Sequence, residues 1–250
     1  MEGAAFWAAA VLAASLVGMS KGGLPVVGML SVPILALVIH PVAAAGLLLP
    51  VYVLSDMFGL YAYRRAFDAR VLAILVPATA VGVGLGWLTA SAVPEQLVEG
   101  LVGLIGAVFA ANLLLRRDEG GPPRRADRAK GTFWGMVAGF TSFVSHAGAP
   151  PYQVFVLPLR LEKAVYAGTT TILFAWVNAV KLVPYWALGQ LSPANLRVAA
   201  LLMVPAVASV FLGVWLVRRM PTKTFFRLVV WALLLVSLKL LWDAGRGMPG

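Results

Sequence analysis

Apolar stretches of roughly twenty residues follow one another through residues 4–241, each bounded by a short polar or charged segment. About 20 such residues cross a hydrocarbon core of about 30 Å as a helix. The stretches lack the alternation of barrel strands, and a helix satisfies its own backbone in lipid, so each is read as helical. The pattern predicts spanning helices over residues 42–63, 71–91, 96–115, 164–187, 193–217 and 222–242. Two front pieces remain, residues 4–39 and 131–159. Each begins and ends on one side of the membrane and is predicted to be a hairpin, yet a leg such as residues 4–19 extends only about 24 Å. Two short-legged, tilted or re-entrant hairpins are therefore expected, entering from opposite faces with their tips meeting inside the membrane.

Composition fixes the class. The chain is 61% hydrophobic and 12% charged with a mean hydropathy of +0.89, which leaves no segment for a separate soluble domain. The expected fold is an all-α, polytopic membrane helix bundle. A net charge of +10 first suggests nucleic acid, but most of the cations sit in four loops, at residues 64–70, 116–130, 160–163 and 218–227. The positive-inside rule puts these loops in the cytoplasm, so no nucleic-acid partner is expected. Contact with anionic lipid headgroups is the other role open to them. Residues 92–95 and 189–192 carry no Lys or Arg, in keeping with outer loops, and both termini are then predicted outside a bacterial-type cytoplasmic (inner) membrane. No Lys or Arg precedes the apolar part of residues 1–19, so a cleaved signal peptide is not expected. Without cysteine there is no disulfide, thiolate metal site or Cys nucleophile.

The two halves of the chain match in order. Pro25 and Pro33 correspond to Pro150 and Pro158, Ala45-Gly46 to Ala167-Gly168, Val76-Pro77-Ala78 to Val204-Pro205-Ala206, and Trp87-Leu88 to Trp215-Leu216. The loop charges send matching helices across the membrane in opposite directions, so residues 1–117 and 131–250 are read as two inverted-topology repeats, each a hairpin plus three spanning helices. Residues 118–130, rich in charge, Gly and Pro, are the cytoplasmic linker.

The hairpin tips carry the chemistry. Ser20-Lys21-Gly22-Gly23-Leu24-Pro25 and Ser145-His146-Ala147-Gly148-Ala149-Pro150 each set a cation and a Gly-x-Pro step inside an apolar run. Pro25 and Pro150 suit the first turn of a following helix, whose N-H groups and positive dipole end would face the tip and attract a small oxyanion. Lys21 adds a full charge, His146 a group that titrates near neutrality, and Ser20, Ser142 and Ser145 hydroxyls. Lys21 as a residue snorkelling to an interface and His146 as a satisfied structural histidine are the alternatives.

Other polar residues interrupt spanning helices. Asp56 is the acid clearly inside a spanning segment, well away from its ends; Asn178 is its repeat equivalent, and Lys181 lies one turn beyond. Two readings of Asp56 stay open: an ion pair with Lys181 or Lys21 that locks helices, or a carrier of a coupling proton that releases Lys21 when protonated. Gln153, Tyr152 and Thr169 to Thr171 are candidates to line a cavity. Trp7, Trp87, Trp134, Trp186 and Trp242 lie near helix ends as anchors. The two histidines are far apart in sequence and His40 sits beside Pro41 at an outer turn, so neither a zinc nor a haem site is expected, no cofactor is implied, and an enzyme is not indicated.

These features resemble the TauE/SafE family of sulfite exporters, also called the 4-toluene sulfonate uptake family. The resemblance runs from about Phe6 to Trp242 and rests on Val32-Pro33-Ile34-Leu35 with Leu157-Pro158-Leu159, Ala45-Gly46-Leu47-Leu48 with Ala167-Gly168-Thr169-Thr170, and the glycines at residues 82–86 and at Gly213. The family's hairpins commonly carry longer glycine runs; here the first keeps Gly22-Gly23 and the second Gly148. The resemblance implies transport of sulfite, thiosulfate or small organosulfonates, driven by protons. The reading is a secondary transporter, an exporter of a sulfur oxyanion, working by alternating access. Lys21, Gly22, Gly23, Ser20, His146, Gly148, Ser145, Gln153, Asn178 and Lys181 are expected to hold the anion, and Asp56 with His146 to handle protons. Its partners are the anion, protons and membrane lipid, as monomer or homodimer, and the alternative is a passive channel for small oxyanions or carboxylates.

Overall fold

The computed structural model describes residues 3–89, 92–115, 123–187 and 193–247, and these are helical with no strand among them. The predicted outer loop at residues 189–192 and residues 118–122 of the linker fall outside the described residues. The elements in order are α1 (Ala4–Lys21), a 3-10 segment (Pro25–Leu30), α2 (Ser31–Ala36), α3 (Pro41–Tyr63), α4 (Ala69–Thr89), α5 (Glu95–Leu115), α6 (Arg128–Ser145), α7 (Ala149–Val156), a second 3-10 segment (Leu157–Leu159), α8 (Lys163–Ala187), α9 (Pro193–Arg219) and α10 (Thr222–Gly247).

Six of the described helices are long and apolar enough to cross a membrane, as many as the pattern predicts, but the set differs by one. α1 joins it: the helix runs two residues past the predicted leg to Lys21, and its 18 residues extend about 27 Å. The leg that follows is the short one, because Pro25 opens a 3-10 turn and only six α-helical residues come after it. In the second hairpin α7 has eight residues and its 3-10 extension three, again too few to cross. α8 leaves the set despite its 25 residues, since Thr169, Thr170, Thr171, Asn178 and Lys181 make it too polar; all five are buried.

The helices gather into two compact units. Residues 1–67 with 167–220 form the first, and residues 68–166 with 221–250 the second. Within the first, α1 lies along α9 at glycines: a Cβ on Gly18 would stand 1.9 Å from the Ala206 carbonyl oxygen, and one on Gly22 2.5 Å from that of Val210. The contacts advance together along both helices, so α1 and α9 run parallel. Phe6, Ala10, Ala13 and Val17 of α1 meet Leu47 and Leu48 of α3 and Leu202 and Ala206 of α9 in the core.

Within the second unit, α6 lies along α4 in the same way. Cβ atoms on Gly139 and Gly82 would stand 2.2 and 2.1 Å from the carbonyl oxygens of Thr79 and Met136, and this pair too is parallel. α5 and α10 pack antiparallel, with Gly100 beside Ala244 and Gly106 beside Ser237. Caps start the helices at the loops: Asp68 Oδ1 accepts from the Val71 amide at 2.9 Å, and Asp127 Oδ1 from the Lys130 amide at 2.8 Å.

Backbone in contact with backbone leaves no room for a side chain. Gly18→Ala is expected to force α1 from α9 and cost at least about 1–3 kcal/mol, as overpacked cores do. Gly84→Ala, with nothing within 4 Å, is the control. The two unfolding midpoints in detergent check it: Gly18→Ala falls well below the parent and Gly84→Ala does not.

Candidate functional site

The end of α1 is built to bury a lysine. Gly22 donates its amide to the Gly18 carbonyl at 3.0 Å, Gly23 to Ser20 at 3.2 Å and Leu24 to Met19 at 3.3 Å, so the first amides of the break close α1 rather than face a ligand. Gly23 takes a φ of 107°, open to glycine without strain. A Cβ there would also meet the Tyr63 hydroxyl at 2.5 Å, while that hydroxyl donates to the Gly22 carbonyl at 2.7 Å. Tyr63→Phe is expected to cost about 1 kcal/mol and to speed amide exchange at Gly22 to Leu24 more than elsewhere in α1. Hydrogen exchange with mass spectrometry reads it.

Lys21 is 4% exposed, and its Nζ lies 2.7 Å from Asp56 Oδ1. Asp56, 1% exposed, accepts from Asn178 Nδ2 through Oδ2 at 2.8 Å. The Lys21 ammonium also sits 5.0 Å from the Tyr52 ring centroid, a cation–π distance. Tyr52 is held in turn, since its hydroxyl and that of Ser31 meet at the Gly28 carbonyl. Gly59, one turn after Asp56, lets α3 approach the Lys21 carbonyl, which Thr171 of α8 also reaches at 3.3 Å. Lys181, one turn beyond Asn178 on α8, is 2% exposed.

Thus the first unit brings together Lys21, Asp56 and Asn178, with Lys181 near. Among the described residues the buried Lys, Arg, Asp and Glu side chains are Lys21, Asp56 and Lys181. Of the two ion pairs open in the sequence, Asp56 takes the one to Lys21. Ser20, also in this unit, donates its hydroxyl to Val17 at 2.7 Å and so presents lone pairs, not a donor.

The remaining expected residues belong to the second unit. α6 ends at His146, which takes a left-handed φ of 54° and is half-buried. The break is held by Thr141, whose hydroxyl donates to the Ala147 carbonyl at 3.0 Å and whose carbonyl accepts the Ala147 amide at 3.2 Å. Ser145 donates to the same Thr141 carbonyl at 3.2 Å, repeating what Ser20 does at the matching position. Gly148 precedes the first residue of α7, and Gln153 is fully buried on that helix.

Four residues of the first site escaped the sequence reading: Tyr52, Ser55, Gly59 and Tyr63. Their signal was a spacing, because Tyr52, Asp56, Gly59 and Tyr63 recur every three or four residues on the face of α3 that carries the acid. Ser55 is wholly buried beside Asp56 in sequence, and its Oγ has no hydrogen-bond partner.

Lipid-length helices that close around a buried ionic centre at a helix break define a multi-pass membrane protein of the transport class. Residues 6–240 match the sulfite exporter TauE/SafE family, and the chain belongs to it. Its family is one of membrane transporters for sulfur-containing anions, not of enzymes. No curated protein and no solved structure matches.

Proposed function

We propose that this chain exports sulfite or a small organosulfonate by alternating access between two inverted repeats, with Asp56 carrying the coupled proton. The observation that carries this reading is the charge of the buried centre. Lys21 and Asp56, each at most 4% exposed, form an ion pair at a helix break, and buried charge in a membrane protein is costly unless it is used. A small anion takes the Lys21 ammonium in place of Asp56. Protonating Asp56 loosens its grip on Lys21, so proton and anion favour each other's binding. Asn178, an amide that donates to Oδ2, keeps the carboxyl in place while Lys21 changes partner.

The repeat reading draws support from equivalent residues. Asp56 and Asn178 match between the halves, and here they hydrogen-bond between antiparallel helices, as two positions beside a pseudo-two-fold axis would. α3 starts at Pro41 and α8 at Lys163, the same offset that relates Ala45 to Ala167. The parallel pairs α1 with α9 and α6 with α4 are each other's counterparts under the same matching. His146, the counterpart of Lys21, is proposed as a second proton-handling group in its own unit.

Purified protein in liposomes loaded with sulfite tests the proposal. Saturable efflux that responds to an imposed pH gradient, and accumulation against a sulfite gradient, are expected. Ohmic conductance with no saturation and no uphill movement would establish the channel instead.

A further inference from the structure

One hydroxyl of the first unit stands on the helix face of the buried ion pair with its donor unused. Ser55 of α3 is wholly buried, and its Oγ has no hydrogen-bond partner among the described residues. Hydroxyls inside a helix commonly donate to a carbonyl three or four residues back, as Ser15, Ser20, Thr79, Thr89 and Ser145 do here. Ser55 makes no such bond.

Its position on α3 sets it along the Lys21 side chain. A Cβ on Gly59 would stand 3.3 Å from Lys21 Cβ, while the Lys21 ammonium lies 5.0 Å from the Tyr52 ring centroid and 2.7 Å from Asp56 Oδ1. The lysine therefore runs back along α3 from Gly59 to Tyr52. Ser55 comes one turn after Tyr52 and one turn before Gly59, so it lies between them on the helix surface. Helical Cα–Cβ bonds lean toward the N-terminus, which carries the hydroxyl toward the end where the ammonium sits. All of these residues belong to the first unit.

Natural proteins pair nearly all buried polar groups, so an orphaned one needs a reason. Asp56 does not supply it, because the carboxylate takes Lys21 and Asn178 and leaves the adjacent hydroxyl unused. An anion that takes the ammonium from Asp56 must gain a contact that Asp56 lacks. A second donor, strengthened by the anion's charge, is such a contact. An oxyanion can use both at once, with one oxygen accepting from Lys21 Nζ and another from Ser55 Oγ.

We propose that Ser55 is a substrate-binding residue, its hydroxyl donating to an oxygen of the anion that Lys21 holds. The assignment rests on the reading of Lys21 and Asp56 as the anion site, and it adds the contact that lets an oxyanion displace the carboxylate.

Calorimetric titration of sulfite and of methanesulfonate into the full-length protein in lipid nanodiscs, with the unfolding midpoint measured without ligand, tests it. Ser55→Ala is expected to weaken binding at least about tenfold, the loss of one hydrogen bond to a charged group. Without ligand it is expected to unfold no earlier than the parent, because alanine removes an unpaired hydroxyl and breaks no bond. Ser55→Cys keeps the shape with only a weak S–H donor and is expected to lose affinity likewise, so it serves if the alanine variant fails to fold. A lowered midpoint with parent-like affinity would mean that the hydroxyl serves the fold, and it overturns the assignment. Parent-like affinity with an unchanged midpoint overturns it too, and in both cases the anion site itself survives. A parent protein that binds neither sulfite nor methanesulfonate removes the anion site and Ser55 with it.

Discussion

Lys21→Ala is expected to reduce sulfite flux in liposomes to that of protein-free vesicles and to destabilise the fold as well. The second effect follows from the geometry: with Lys21 gone, Asp56 stays 1% exposed with Asn178 as its remaining named partner. Removing one member of a buried ion pair costs about 3–5 kcal/mol, whereas replacing both by neutral groups is often harmless. The double substitution Lys21→Met with Asp56→Asn therefore separates the two readings of the pair. As a mere lock between helices, the pair would be replaceable, and the double variant would fold and transport. As an anion site, it would not be: the double variant regains its unfolding midpoint but remains inactive. Normal flux in that folded double variant would refute the site.

Asp56→Asn alone is the second large effect. The amide keeps the shape of the carboxyl and still faces Asn178, but it carries no titrating proton, and Lys21 is left without the charge 2.7 Å away. Like Lys21→Ala, it leaves one buried charge unpaired and is expected to lower the unfolding midpoint; in the folded protein, flux down a sulfite gradient should persist, with anion binding tightened because nothing competes for the ammonium. Its response to an imposed pH gradient should vanish. A variant that still follows the pH gradient moves the coupling elsewhere, with His146 the next group to substitute.

Much of this was legible in the sequence. Apolar runs of spanning length announce helices because lipid allows little else, and a Lys-Gly-Gly break announces itself by its cost. Asn178 could be found because it repeats the position of Asp56. What could not be read was partnership. The apolar run from residue 4 stops at 19, where the break begins, and reads as a short leg, yet the amides of Gly22 to Leu24 fold back and carry the helix through Lys21. Equally hidden was that Pro25 opens a 3-10 turn rather than an α-helix. Tyr52 and Tyr63 looked like two more aromatics in an apolar helix; only tertiary contact shows one under the ammonium and the other on the Gly22 carbonyl. Nor does linker composition reveal that each compact unit draws helices from both halves, because it reports where chain is exposed and not what packs.

If Asp56 carries the proton as proposed, the Lys21–Asp56 pair would also set how the carrier feels membrane voltage. One proton taken up with a singly charged anion moves no net charge, so such a substrate follows concentration and pH alone. A doubly charged anion leaving with that same proton moves one negative charge outward, and an inside-negative membrane assists it by about 2.3 kcal/mol per 100 mV. Under the proposed coupling, one buried carboxyl would make the protonation state of the cargo, more than its size, the quantity that ties export to the cell's electrical state.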